Sequence, residues 1–292
     1  MKALVTGNKG FVGQHLTEAL NKKGIEVIGY DIKEGLDITS PNLKHFVESW
    51  KPDYIFHLAA KINAAESFDK PLEYMATNVG GTINLLEAAK NINANILLAS
   101  STEVYSPAID DTPLDITSVT QPQTPYGVSK LTMEQMGAIY ANRYKMHIVV
   151  TRTNNHTGPG QDGPFALTSF AKQIVEIERG RRDVLEHGDL SNFKSYLDVR
   201  DVVQAYITAI DLSPYIYNVT SDDSYEMGDL LNRLVAYAKV PITRSQNTSL
   251  VRSYKAPQTF YKPSSRLKDA GWKIEYPLER TLYDLLEYWR RK

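Results

Sequence analysis

A phenol and an ammonium stand one helical turn apart in Tyr126-Gly127-Val128-Ser129-Lys130. If the segment is helical, both project from one face, and an ammonium beside a phenol lowers the phenol pKa from its ordinary value of about 10. A phenol tuned in this way exchanges a proton with an alcohol or sugar hydroxyl near neutral pH. Tyr-x-x-x-Lys alone occurs by chance in many helices, so its weight depends on its surroundings. Ser100-Ser101-Thr102-Glu103, which closes the apolar run Ile96-Leu97-Leu98-Ala99, adds two further groups. Ser101 is placed to hydrogen-bond an oxygen that Tyr126 also touches, and Glu103 to remove a proton from an activated carbon. The plainer alternative is a hydroxyl that caps a strand end and a glutamate that faces water. Function is the better account of Ser101, while Glu103 stays open between the two.

The elements that must position these groups begin at the N-terminus. Lys2-Ala-Leu-Val-Thr6 reads as a short buried strand that runs into Gly7-Asn8-Lys9-Gly10-Phe11-Val12-Gly13 and then a helical pattern at Leu16 and Leu20. Glycines in such a turn let backbone N–H groups approach a pyrophosphate at a helix N-terminus. A second strand, Glu26–Tyr30, ends at Asp31, 18 residues past Gly13. That is where a carboxylate holds the adenosine ribose hydroxyls of a dinucleotide.

Further along, a helix from Pro41 to about Trp50, a strand Tyr54-Ile55-Phe56 and a long helix from about Pro71 to Asn91 lead to the Ile96 strand, the Tyr126 helix and the strand His147–Val150. Alternating strands and helices imply right-handed crossovers and a mostly parallel sheet, with chemistry gathered at the carboxyl ends of its strands. The expected fold is therefore α/β, a Rossmann-type doubly wound parallel sheet over residues 1–152, with a smaller mixed lobe over residues 153–292 interleaved with it. The lobe is marked by turn-rich Gly158-Pro159-Gly160 and Asp162-Gly163-Pro164, a helix from about Phe165 to Arg179, a short strand Ile216–Val219, and helices Met227–Ala238 and Leu278–Arg291.

Net charge is −1, from 33 basic and 34 acidic residues, so no global field favours nucleic acid or an anionic membrane. The absence of cysteine excludes disulfides and thiol chemistry and fits a reducing compartment. No leader and no apolar run of membrane-spanning length is evident, and the expectation is a cytoplasmic protein. His57 ends an apolar strand and reads as a packed, hydrogen-bonded ring. His147, His156 and His187 lack metal-ligand spacing, so no metal site is expected. Arg179, Arg181 and Arg182, with Lys172, read as a solvated helix end, and the aromatic residues of the C-terminal tail as packing.

Taken in order, Thr6-Gly7-x-x-Gly10-Phe11-Val12-Gly13, Asp31, Asp37-Ile38, His57-Leu58-Ala59-Ala60, Asn78-Val79-x-Gly81-Thr82, Ser101 and Tyr126-x-x-x-Lys130 resemble the extended short-chain dehydrogenase/reductase family over essentially the whole chain. Those enzymes act on nucleotide sugars. Arg152 to Gln161 looks like the branch that handles GDP-mannose and its 4-keto-6-deoxy product. Dehydratases of that branch carry Gln-Asp where this chain has Phe11-Val12, and an arginine pair where it has Asp31. Both departures, and the short chain ending in Gly271-Trp272-Lys273 through Tyr288-Trp289-Arg290, resemble the 4-keto reductases instead.

The resemblance implies Tyr126 as acid/base, Lys130 as its modulator and nicotinamide-ribose ligand, and Ser101 as donor to the substrate oxygen. Cofactor contacts are implied at Gly7, Lys9, Gly10, Phe11, Val12, Gly13, Asp31, Asp37, Ile38, Leu58, Ala59, Ala60 and Asn78. Substrate contacts are implied at Ser101, Thr102, Asn155, Lys194 and Arg252. The family's Arg-Asp pair falls on Lys194-Ser195, where a bidentate phosphate contact becomes a point charge. Arg252 is kept in changed surroundings. The expected activity is NAD(P)H-dependent reduction of a nucleotide-linked 4-keto-6-deoxyhexose of the GDP-6-deoxy-4-ketomannose type, with NAD(H) favoured by Asp31 and NADP(H) possible. A 4,6-dehydratase or 4-epimerase that uses Glu103 near sugar C5 is the alternative, and a non-catalytic NAD(P)-sensing protein a remote one. A homodimer is expected through the helix from Pro71 and the Tyr126 helix, with Leu85, Leu86, Ala89, Met133, Met136, Ile139 and Tyr140 offering apolar surface.

Overall fold

The computed structural model describes residues 1–251 and 259–292. Strand β1 (Lys2–Thr6) feeds helix α1 (Phe11–Lys22), β2 (Glu26–Tyr30), α2 (Asn42–Trp50) and β3 (Tyr54–His57). Short helices α3 (Glu66–Asp69) and α4 (Pro71–Tyr74) lead into α5 (Gly81–Ala89), β4 (Asn95–Ser101), α6 (Pro125–Tyr144) and β5 (His147–Thr153). The strands lie in the order β2-β1-β3-β4-β5, all parallel, and β10 (Ile216–Val219) completes the sheet beside β5. The sequence suggested that this last strand belongs to the lobe. It pairs instead across a separation of more than 60 residues, from Ile216↔Val150 to Val219↔Thr153.

Alternation along the strands explains why both faces of the sheet are covered. Ala3 and Val5 of β1, with Leu97 and Ala99 of β4, enter one core under α1 and α8 (Val199–Ala209). Leu4, Ile96 and Leu98 enter the other, under α2, α5 and α6. Each leucine buried this way contributes roughly 1.5–3 kcal/mol. Leu85, Leu86, Ala89, Met133 and Tyr140 are buried in that second core, so they are not the free apolar surface the sequence suggested. Leu72 of α4 and Val128 and Ile139 of α6 are instead exposed apolar side chains.

The helix expected from Pro71 to Asn91 is interrupted. Residues Met75–Gly80 form a π-helical turn between α4 and α5, and such turns occur often at functional sites.

After β6 (His156–Thr157) the lobe is built on α7 (Ala166–Glu178), β7 (Val184–His187), β8 (Phe193–Lys194), β9 (Leu197–Asp198), β11 (Tyr225–Glu226), α9 (Met227–Ala236), β12 (Thr243–Gln246) and α11 (Leu278–Arg291), while α10 (Ser265–Asp269) packs through Leu267 into the sheet-side core. Its own core joins Phe170, Ile174, Leu230, Leu234, Leu282 and Leu286. Trp272 ties the C-terminal tail back to the sheet side, its indole N–H donating to Asp201 O at 2.9 Å. No helix among the described residues is long and apolar enough to cross a membrane.

Candidate active site

The glycine turn is tight for steric reasons. Gly7 has φ 75°, a left-handed value that costs glycine little. A Cβ on Gly13 would lie 2.1 Å from Gly7 O, so only glycine lets α1 start this close to β1. Helix α1 begins at Gly10 with no side-chain cap and no acidic residue in its first turn, leaving its leading N–H groups without a side-chain acceptor. Phe11 beside them stacks on His156 at 6.1 Å, and Val12 packs against the core.

Asp31 is buried at the end of β2, and its carboxylate accepts from the backbone N–H of Lys9 and of Lys33, each at 2.9 Å. Lys9 Nζ pairs with Glu34 at 3.0 Å. Asp37 is exposed and caps its own turn by accepting from Thr39 N, while Ile38 is buried against Gly81. Leu58, Ala59 and Ala60 leave β3 half-buried, and the Ala59 N–H donates to Thr6 Oγ1 at 3.2 Å.

A buried polar chain supports this floor. His57 Nε2 bonds Thr82 Oγ1 at 2.9 Å, and its Nδ1 bonds Thr6 Oγ1 at 2.8 Å. Thr82 donates its own proton to Asn78 O, so the ring N–H sits on Nε2 and Nδ1 accepts from Thr6. Burial, aided by the charge of Lys130, pushes the ring down to about 3. It is a packed histidine, as its place in the sequence suggested. Asn78, presented by the π turn, accepts from Lys61 N and donates to Lys61 O and to Ser129 Oγ at 2.9 Å. It thus links the loop after β3 to α6.

Helix α6 carries the reacting groups. Thr124 caps it by accepting from Gly127 N at 2.9 Å, and Pro125 sits in its first turn. A Cβ on Gly127 would lie 2.5 Å from Glu103 O, so this glycine lets the helix press against the turn that follows β4. Tyr126, Lys130 and Ser101 are 9%, 4% and 8% exposed, which places all three inside the protein at the carboxyl end of β4. Lys130 Nζ donates to Ala99 O at 2.7 Å and lies 6.0 Å from the Tyr126 ring centre. Ser101 Oγ accepts from Glu103 N at 3.2 Å, which leaves its own proton for Tyr126 or a substrate oxygen.

Here the structure corrects the sequence reading of the phenol. Burial raises the Tyr126 pKa, a Ser101 hydrogen bond offsets this in part, and the nearby Glu103 charge raises it again. Burial likewise pushes Lys130 down to about 8, against the opposing pull of Glu134. The resting pair is a neutral phenol beside an ammonium near its titration point.

On the lobe side Thr102 is buried and Glu103 half-buried. Asn155 is exposed at the end of β5, its amide donating to Asn154 Oδ1 at 3.1 Å. Lys194 is half-buried on β8, opposite Tyr225. Arg252 lies outside the described residues. The basic run is engaged at the protein surface, with Arg182 on Glu186 at 2.7 Å and Lys172 on Asp162 at 2.5 Å.

Residues 3–220 match the NAD dependent epimerase/dehydratase family. The chain belongs to that family. Among its relatives, GDP-6-deoxy-D-mannose reductase of Pseudomonas aeruginosa is 30% identical, over 100% of this chain and 98% of the relative. GDP-6-deoxy-D-talose 4-dehydrogenase of Aggregatibacter actinomycetemcomitans is 28% identical, over 93% and 92%. The solved structure of RMD from Pseudomonas aeruginosa complexed with NADPH superposes with a TM-score of 0.90 at 29% identity, covering 99% of each chain.

The residues present fit the dinucleotide of an epimerase/dehydratase enzyme. The uncapped α1 N-terminus would take the pyrophosphate, Asp31 would offer its lone pairs to the ribose, and Lys130, held on Ala99 O at the carboxyl end of β4, would serve the nicotinamide half. Two groups escaped the sequence reading. Tyr261, pushed up to about 12 by burial with Thr102 and Glu103 beside it, has no local motif to betray it. Glu134 repeats the four-residue step from Tyr126 to Lys130, and that periodicity was the available signal.

Proposed function

We propose that this family member is an NAD(P)H-dependent reductase of a nucleotide-linked 4-keto-6-deoxyhexose, with a GDP-6-deoxy-4-ketomannose-type sugar as substrate. The observation that carries the reading is the burial of Tyr126, Lys130 and Ser101 together at the carboxyl end of β4. Reduction of a carbonyl takes up a proton at its oxygen, and burial keeps Tyr126 a neutral phenol able to give one. The names of two relatives, a reductase and a 4-dehydrogenase of GDP-6-deoxyhexoses, support the same chemistry. When bound, the dinucleotide supplies the hydride. Ser101 donates to the sugar O4, Tyr126 delivers its proton there, Lys130 stabilises the phenolate that forms, and solvent returns the proton to Tyr126 once the product leaves. The burial of Ser101, Tyr126 and Lys130 strengthens their electrostatic action on the carbonyl oxygen. Supplying the GDP-4-keto-6-deoxyhexose should consume one reduced nicotinamide per sugar, and turnover with no net cofactor oxidation would overturn the assignment.

In this reading residues 1–152 carry mainly the cofactor and 153–292 mainly the nucleotide sugar. Asn155, Lys194 and Arg252 serve the sugar and its phosphates. Asp31 makes NADH the better cofactor, because a 2′-phosphate would meet a buried carboxylate. Lys9 and Lys33 nearby leave NADPH usable. A kcat/KM with NADPH equal to or above that with NADH would reverse this. The enzyme works in the cytoplasm as a homodimer, joined across the face that exposes Leu72, Val128 and Ile139; monomer alone in light scattering at micromolar concentration would reject the dimer. Dehydration or epimerisation is the second reading, favoured by the Glu103 charge that reaches Tyr126.

A further inference from the structure

One more turn along α6 from Lys130 stands Glu134, 5% exposed. A carboxylate so buried is costly unless it is paired and hydrogen-bonded, and this one is both. Arg152 Nη2 donates to Glu134 Oε2 at 2.8 Å, Arg152 Nε donates to Oε1 at 3.1 Å, and the Ser100 hydroxyl donates to Oε1. Ser100 and Arg152 are register partners across β4 and β5, so the central sheet itself builds the clamp. The guanidinium lies 4.8 Å from the Tyr105 ring centre, its Nη1 has no acceptor, and the Tyr105 hydroxyl donates to Asn218 Oδ1 at 2.6 Å. A pair of apolar side chains would fill this space at less cost, so packing alone does not account for it.

We propose that Glu134, clamped by Arg152 and Ser100, is a positioning residue: the counter-charge that keeps Lys130 an ammonium at its post on Ala99 O. The inference rests on the role proposed above for Lys130. The titratable and charged groups that act on Lys130 or on its partners are Tyr126 and Glu134 of its own helix, His57 of β3, Arg152 of β5 through Glu134, and Glu103 beyond β4 through Tyr126. His57 is neutral across the working range, Tyr126 is held protonated, and the Glu103 charge acts on Tyr126. Among the described residues Glu134 is the carboxylate whose charge supports Lys130.

The test titrates Lys130 in the apoprotein by NMR of ¹³C-labelled lysine, its resonance assigned by loss in Lys130→Arg. Wild type should show a midpoint of about 8. Glu134→Gln should move it down by about 1 unit or more, and Arg152→Gln should move it up. Shifts of opposite sign distinguish charge from loosened packing, which would move both variants the same way. If a single variant does not fold, the neutral double variant Glu134→Gln/Arg152→Gln should still shift the midpoint down. The alkaline loss of NADH affinity, read by fluorescence, should follow the same order. Same-sign shifts, an unmoved double variant, or an NADH limb that ignores the NMR midpoint would each overturn the proposal. Both readouts dispense with the sugar, so they stand whether or not the substrate is the one proposed.

Discussion

The residues assigned to the chemistry and those assigned to the substrate sit on two walls of the proposed site, the sheet and the lobe, and the two walls are made differently. On the sheet wall Ser101, Tyr126 and Lys130 are buried on a seven-residue strand and a 20-residue helix, and His57 behind them is bonded at both ring nitrogens. On the lobe wall Asn155 is exposed and Lys194 half-buried on a two-residue strand. Groups that move protons need fixed distances, which long central elements with satisfied partners supply. Groups that choose a substrate need only reach it, and short strands and loops tolerate exchange. On the proposed function, the reaction type is written into the sheet wall and the substrate into the lobe wall.

The hardest blow to this division would come from Tyr126→Phe. The ring still packs and the transferable proton is gone, so turnover should fall by about 10²–10⁴-fold with NADH affinity kept. A variant within a factor of two of wild type would remove Tyr126 from the mechanism.

The sheet wall should also show itself in stability. His57 is depressed to about 3, below the ordinary value of about 6.5, so folding favours its neutral ring. That contribution is complete above about pH 6.5 and is lost as pH falls toward 3, at about 1.4 kcal/mol per unit. Urea unfolding between pH 7 and pH 4 should cost wild type about 3 kcal/mol more than His57→Asn. Parallel losses in the two proteins would show that the ring is not held neutral.

The contrast also explains what could be read in advance. Gly7, Gly13 and Asp31 were legible because backbone geometry demands glycine at the first two and because an acid at the end of β2 has a stated use. Tyr126 and Lys130 were legible from helical spacing. Their proton affinities were not, since spacing reports neighbours along the helix while burial, which sets the phenol, comes from the whole fold. The π turn at Met75–Gly80 was hidden inside an unbroken helical pattern. The place of Ile216–Val219 in the sheet was hidden because its partner is more than 60 residues away. Glu134 looks like any acidic residue on a solvated helix face until Ser100 and Arg152 are found beneath it.

On the lobe wall, Lys194→Ala and Asn155→Ala should raise KM about tenfold each, the size of one lost charge-assisted contact, with kcat within about twofold. Loss of binding shared by ground and transition states has this signature. A fall in kcat as large as that of Tyr126→Phe would place these residues in the chemistry and erase the distinction between the walls.

Glu103 lies where the walls meet, and the smallest expected effect belongs to it. It is half-buried after β4, its backbone N–H holds Ser101 Oγ, and its charge acts on Tyr126. A reductase removes no proton from sugar C5, so Glu103→Gln needs to preserve only this local fold, and its rate should stay within about threefold of wild type. The lost charge also relieves the upward pressure on the phenol, a change that makes Tyr126 the slightly stronger acid and works against any loss. Dehydration makes the opposite demand, because the C5 proton must leave before the hydride returns and a glutamine cannot take it. The decisive pair of measurements is therefore wild type and Glu103→Gln, each given GDP-mannose without added cofactor and the 4-keto sugar with NADH. Conversion of GDP-mannose by wild type, abolished in Glu103→Gln, would make the enzyme a dehydratase. Inert GDP-mannose, with stoichiometric NADH loss in both proteins, would keep Glu103 out of the chemistry and leave the reaction to Ser101, Tyr126 and Lys130.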